Sequence, residues 1–208
     1  MLFRSACGRS LQIVRTIAIG TVNDLLLRPT SLYAATPAGI AQFDLLDPLN
    51  PTRTAATFAT SSAAVTSLAA TGSTLYVADG DATVEVFSIA VPSSPQKLGT
   101  IATLARASSV ETIGSRLYVS DGIRTEVLTG TAATMTSLGF LAYPSTSIAD
   151  AGSNIVIVAG SDRQIRAFDA GLPANAVELF DAEVIPNGGT VNRVSGMQIG
   201  RASCRERV

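Results

Sequence analysis

Acidic residues recurring at matching loops are the feature of this sequence with the clearest chemical potential. Asp79-Gly80-Asp81 follows one short apolar run, Asp121-Gly122 follows the next, and Asp162 follows a third. Carboxylates gathered from several loops could hold Ca²⁺ through oxygen ligands alone. Asp-Gly between two strands is also a standard hairpin turn that needs no ion. The first copy has Thr36-Pro37-Ala38-Gly39 at this place and interrupts the set. A turn is therefore the expected role, with Ca²⁺ the alternative and no dedicated metal site. Arg124 and Arg163 occupy the same loops and could meet an anionic ligand, although such charges commonly only solvate a loop.

No catalytic set stands out. His is absent, which removes the commonest general base and metal ligand. Cys7 has no partner for thiol chemistry and reads as a small buried hydrophobe. Neither a phosphate-cradling glycine loop nor a serine nucleophile motif is present. No catalytic residue and no cofactor is expected. Tyr33, Tyr76 and Tyr118 recur in register; an aromatic sugar platform is one reading, and packing between repeats is the expected one.

The elements that position these residues form a repeat. Leu32-Tyr33-Ala34-Ala35 recurs as Leu75-Tyr76-Val77-Ala78, Leu117-Tyr118-Val119-Ser120 and Ile155-Val156-Ile157-Val158-Ala159, at spacings of 43, 42 and 38 residues. Upstream stand Gly72-Ser73, Gly114-Ser115 and Gly152-Ser153, with Pro29-Thr30 in the first copy. These pairs suit tight turns. Downstream come Ile40 to Asp44, Val84 to Ser88, Thr125 to Thr129 and Ile165 to Asp169. A fourth strand closes each unit over 53–60, 96–103, 136–142 and 177–184. Four strands in about forty residues, with no helical period, predict four-stranded antiparallel blades of an all-β propeller.

The second strand of each copy is apolar almost throughout, as expected where both faces are covered. The third carries Glu85, Glu126 and Arg166, which places it nearer the rim. The expected blades are 22–60, 64–103, 108–142 and 146–185, with the last strand of a preceding blade in 6–20 and the start of a following one in 190–198. Such an incomplete propeller is an open arc, and bare apolar end faces are expected to self-associate.

The ends read differently. Ile199 to Val208 fits ATC GGA AGA GCG TCG TGT AGG GAA AGA GTG, which resembles read-through of a short-read sequencing adapter. Residues 1–5 resemble the end of the opposite adapter, so both stretches are set aside as artefacts, as in a metagenomic fragment. Without them, 15 basic and 16 acidic residues become 11 and 15, a net charge of −4. That balance, with no basic tract, gives no reason to expect nucleic-acid binding. No apolar stretch approaches the ~20 residues of a membrane helix, so no membrane insertion is expected.

The second copy carries a family likeness in Gly72, Leu75-Tyr76-Val77-Ala78-Asp79-Gly80, Pro92-Ser93-Ser94-Pro95 and Leu98-Gly99-Thr100. The first copy keeps Asp44, Asp47-Pro48 and Pro51, the third Asp121-Gly122 and Leu138-Gly139, and the fourth Asp169 and Pro173. This pattern resembles the LVIVD-repeat family of bacterial propellers. A Trp-Asp repeat protein fits poorly without Trp or His, and a kelch protein fits poorly with Gly188-Gly189 as the only diglycine. The resemblance implies a non-catalytic binding or interaction scaffold with a protein or glycan partner, secreted or displayed on the surface. The scarcity of Lys (Lys97 alone) and the richness in Ala, Ser and Thr are compatible with export. The alternative is a propeller enzyme, a hydrolase or lyase, whose catalytic residues lie mostly in other blades; fold alone decides neither.

Overall fold

The computed structural model describes residues 15–54, 58, 60, 64–132, 134–162 and 164–183. They form four antiparallel four-stranded sheets, each a sequential meander. The first comprises β1 (Asp24–Arg28), β2 (Ser31–Thr36), β3 (Gly39–Asp44) and β4 (Thr52–Arg53). The second comprises β5 (Ser67–Thr71), β6 (Thr74–Ala78), β7 (Thr83–Ser88) and β8 (Gln96–Ala102). In the third are β9 (Ser109–Ile113), β10 (Arg116–Ser120), β11 (Thr125–Thr131) and β12 (Thr134–Leu141). The fourth has β13 (Ser147–Gly152), β14 (Ile155–Ala159), β15 (Gln164–Asp169) and β16 (Val177–Glu183). The sheets are arranged as propeller blades in an array that does not close.

First strands adjoin one another from sheet to sheet, β1 beside β5, β5 beside β9 and β9 beside β13, so they lie nearest the axis. Side chains at their first positions tie the blades together. Asp24 Oδ2 accepts the Leu68 amide at 2.9 Å, and Ser67 Oγ, one blade on, accepts the Val110 amide at 3.2 Å.

Three apolar layers fill the spaces between sheets. Tyr33, Ala35 and Ile40 meet Leu68, Leu75, Val77 and Phe87 between the first and second. Tyr76, Ala78, Val84 and Val86 meet Val110, Leu117 and Val119 between the second and third. Tyr118, Val127 and Leu141 meet Ile148, Val156, Val158 and Phe168 between the third and fourth. Successive residues of β6 thus point to opposite neighbours, and Leu75 to Ala78 are all buried. A strand covered on both faces can be apolar at every position.

The turn residues do what their chemistry allows. Gly72, Gly114 and Gly152 hold positive φ of 54°, 60° and 80° in the turns before the second strands, a region open to glycine at little cost. Leu-Gly marks a different feature. Gly99 and Gly139 pair with Val86 and Val127, where the ladder between third and fourth strands shifts register. An ideal Cβ at Gly139 would lie 2.3 Å from the Pro173 carbonyl oxygen of the next blade.

Several expectations are corrected. Glu85 is fully buried and bonded to Lys97 Nζ at 2.6 Å, while the side chains of Glu126 and Arg166 are only 16% and 19% exposed. The third strand is therefore sandwiched like the second, and its charges are held by partners. Among the described residues, the fourth strand of the first sheet pairs at Thr52 and Arg53, with the Thr54 amide donating to the Gln42 carbonyl oxygen and a bridge between Ile40 and Phe58; residues 55–57 and 59 of the expected strand lie outside the described residues. Residues 15–20, the described part of the strand expected in 6–20, form no strand, and residues 6–14 lie outside the described residues. Ile19 instead packs on buried Ala34, Ala41 and Phe43, so the outward face of the first sheet is not bare. Leu25 and Leu27 remain exposed there. The anticipated strand in 190–198 lies outside the described residues, as do both adapter-like ends.

Candidate functional site

The carboxylate rim does not assemble. Strand register makes Thr36, Asp79, Asp121 and Gly160 the equivalent positions, each just after or at the end of a second strand. Thr36 Oγ1 accepts the Ala38 amide at 3.2 Å, and Asp79 Oδ1 accepts the Asp81 amide at 3.3 Å. Asp121 accepts the Ile123 and Arg124 amides through Oδ1, both at 3.0 Å, and the Leu104 amide through Oδ2 at 3.2 Å. Except for the Leu104 bond, which ties Asp121 to the loop after β8, these are turn-forming bonds between a short side chain and nearby backbone. Asp79 and Asp121 are buried while Asp81 is exposed.

Asp162 lies two residues beyond the equivalent position for a steric reason. A Cβ at Gly160 would fall 2.1 Å from the Tyr143 hydroxyl oxygen. That hydroxyl donates to Asp162 Oδ1, and Arg166 pairs with Asp162 Oδ2 at 3.0 Å while lying 3.9 Å from the Tyr143 ring centroid. Burial, followed by the bond to Asp162, pushes the Tyr143 hydroxyl well above its ordinary pKa. Burial opposes ionisation of Asp162, but bonds from Tyr143, the Gln164 amide and Arg166 outweigh it and hold its pKa low. The cluster closes a hairpin and leaves no carboxylate free to act as a base.

Arg124 is likewise engaged, 3.6 Å from Glu126 Oε2 and 4.5 Å from the Phe140 ring centroid. Arg163 lies outside the described residues. Among the described residues, no three His, Cys, Asp or Glu side chains are placed to share a metal ion. Tyr33, Tyr76 and Tyr118 are each buried, one in every layer between sheets. Burial raises the pKa of all three. Their recurrence serves packing.

Open polar space lies at the other end of the blades, beside the turns that join first to second strands. A cleft of about 320 Å³ opens between the third and fourth sheets, lined by Arg116, Tyr118, Asp150, Ser153 and Asn154 among others. Arg116 donates to the Ala170 and Gly171 carbonyl oxygens across the sheet boundary, which fixes its position. Ser153 and Asn154 hold positive φ of 53° and 64°. Sequence reasoning missed this region by following the acidic loops. The available signal was Arg116 itself, a charge where the other copies have Ser31, Thr74 and Ile155.

No protein-family model matches the sequence, and no curated protein matches it. Solved structures share its fold. The computationally designed Ika8 protein aligns with a TM-score of 0.61 at 16% identity, covering 81% of this chain and 50% of that one. A functionally unknown protein from Desulfotomaculum acetoxidans DSM 771 aligns with a TM-score of 0.63 at 13% identity, covering 83% of this chain and 65% of that one. This chain thus spans between half and two thirds of these neighbours. Among the described residues, no helix is long and apolar enough to cross a membrane.

Proposed function

We infer that the chain is the repeat region of a non-catalytic binding scaffold of the LVIVD-propeller type, exported to the cell surface or beyond. Its partner is a protein or a glycan, engaged at the end of the blades where the clefts open. The observation that carries this reading is the cleft between the third and fourth sheets. It is polar, about 320 Å³ in volume and walled by the β9–β10 and β13–β14 hairpins, with Arg116 fixed by bonds to the loop after β15. Small-ligand and peptide sites commonly join such a preformed concavity to a few fixed polar groups. The scarcity of Lys and the repeat motifs support the exported, LVIVD-type assignment.

A peptide library and a glycan array probed with the full chain test the scaffold reading. Binders should lose affinity for Asp150→Lys, which reverses a charge at the cleft, and keep it for Asp81→Ala at the opposite end. Turnover in a hydrolase and lyase screen would overturn the reading. So would binders that respond to Asp81→Ala and ignore Asp150→Lys.

A further inference from the structure

The outermost strands of the four sheets are not alike. β4, β8, β12 and β16 each end their sheet, with a described strand on one side only. Backbone N–H and C=O groups along such an edge are a template for another strand. Three of the four edges are blunted. β4 is two residues long and follows Pro51 directly. β8 follows Pro95 and carries Lys97. β16 carries Glu178, Asp181 and Glu183. Shortness, proline and charge are the usual means of keeping an edge from pairing.

β12 has none of these. Its eight residues, Thr134-Met135-Thr136-Ser137-Leu138-Gly139-Phe140-Leu141, include neither a charge nor a proline. No charged residue occurs anywhere between Glu126 and Asp150. Thr134, Thr136, Ser137 and Phe140 are exposed. The ladder shifts register at Leu138, but β8 and β16 have the same shift, so a bulge does not set β12 apart. The fourth blade meets β12 on a face rather than along the edge. Pro173 lies where a Cβ of Gly139 would point, and Cβ atoms point out of the plane of a sheet.

An identical strand fits this edge. Antiparallel pairing of two copies of one strand is isologous, generated by a two-fold axis. Like charges directly opposite one another oppose such pairing. Self-pairing of β16 would set carboxylates beside carboxylates, whereas β12 brings no charge to the contact in any register.

We propose that two copies of the chain dimerise by antiparallel pairing of β12 with β12, which joins their third blades edge to edge. The contact is independent of the cleft on which the scaffold reading rests. Sedimentation velocity on the full chain over a range of micromolar concentrations should show a monomer–dimer equilibrium. Replacing two exposed residues together, Thr136→Lys with Ser137→Lys, sets like charges across the two-fold pairing. It should weaken association about tenfold or more, with the variant folded. Leu27→Lys, on the outward face of the first sheet, should dimerise as the parent does. Hydrogen exchange gives a readout that needs no variant. Amides of β12 that face away from β11 should slow as concentration rises, and those along the edge of β8 should not. The proposal is overturned if the parent stays a monomer, if the folded lysine variant associates as tightly as the parent, or if β12 exchange is independent of concentration. Association abolished by Leu27→Lys and kept by the lysine pair would assign it to the end faces of the arc, and overturns the proposal too.

Discussion

The second sheet has two faces that meet their neighbours in different ways. Towards the third sheet it presents Tyr76, Ala78, Val84 and Val86 against Val110, Leu117 and Val119, where a cavity beside Tyr76 and Leu117 has a volume of about 20 Å³. Towards the first sheet, Leu75, Val77 and Phe87 are as well buried, yet a cleft of about 250 Å³ opens beside Gln42. One repeat thus makes both a sealed wall and a wall with a polar recess. Strand order is the same in the first and third sheets, but β4 is two residues long and β12 eight, so the two boundaries differ in their edge strands as well as in side chains. Apolar packing between blades supplies cohesion, and one inward position carries a buried carboxamide beside the recess.

Val77→Asp is expected to have the largest effect. Val77 is fully buried in the layer shared with the first sheet, and an unpaired carboxylate there costs several kcal/mol. Val119→Asp, the matching change in the sealed layer, should be equally damaging. Equilibrium denaturation of both variants would break the comparison if either remained near parental stability.

Val86→Gln sharpens the contrast. It places in the sealed wall the residue type that Gln42 places beside the cleft, and Val86 has no such opening next to it. A loss of about 2–4 kcal/mol is expected from burying the unpartnered amide and enlarging the side chain. An unchanged denaturation midpoint would show that the two walls tolerate a carboxamide alike, and that position 42 has no special character.

The smallest effect belongs to Asp81→Ala. Its side chain is exposed on a loop, so stability should change by no more than about 0.5 kcal/mol. A large loss, reproduced by adding a chelator to the parent, would instead bring the oxygen-ligand reading of this loop back.

Sequence alone determined the blades, because their signals are local. Gly before the Leu-Tyr strands sets a turn through positive φ, and Leu75-Tyr76-Val77-Ala78 declares a strand covered on both sides. Asp79 and Asp121 read correctly as turn residues because their bonds run to backbone two or three residues away. Tertiary structure alone decided what became of the polar residues inside the strands. Ile40-Ala41-Gln42-Phe43-Asp44 alternates in a way that could face Gln42 to solvent, and Glu85 reads as a rim charge. Both are buried because a neighbouring blade about forty residues away covers that face. Only the packed array shows that Lys97 reaches Glu85, that Tyr143 fills the space at Gly160, and that Gln42 is left with a cleft. Burial is set by contacts distant in sequence, whereas turns and strand period are set by the residues themselves.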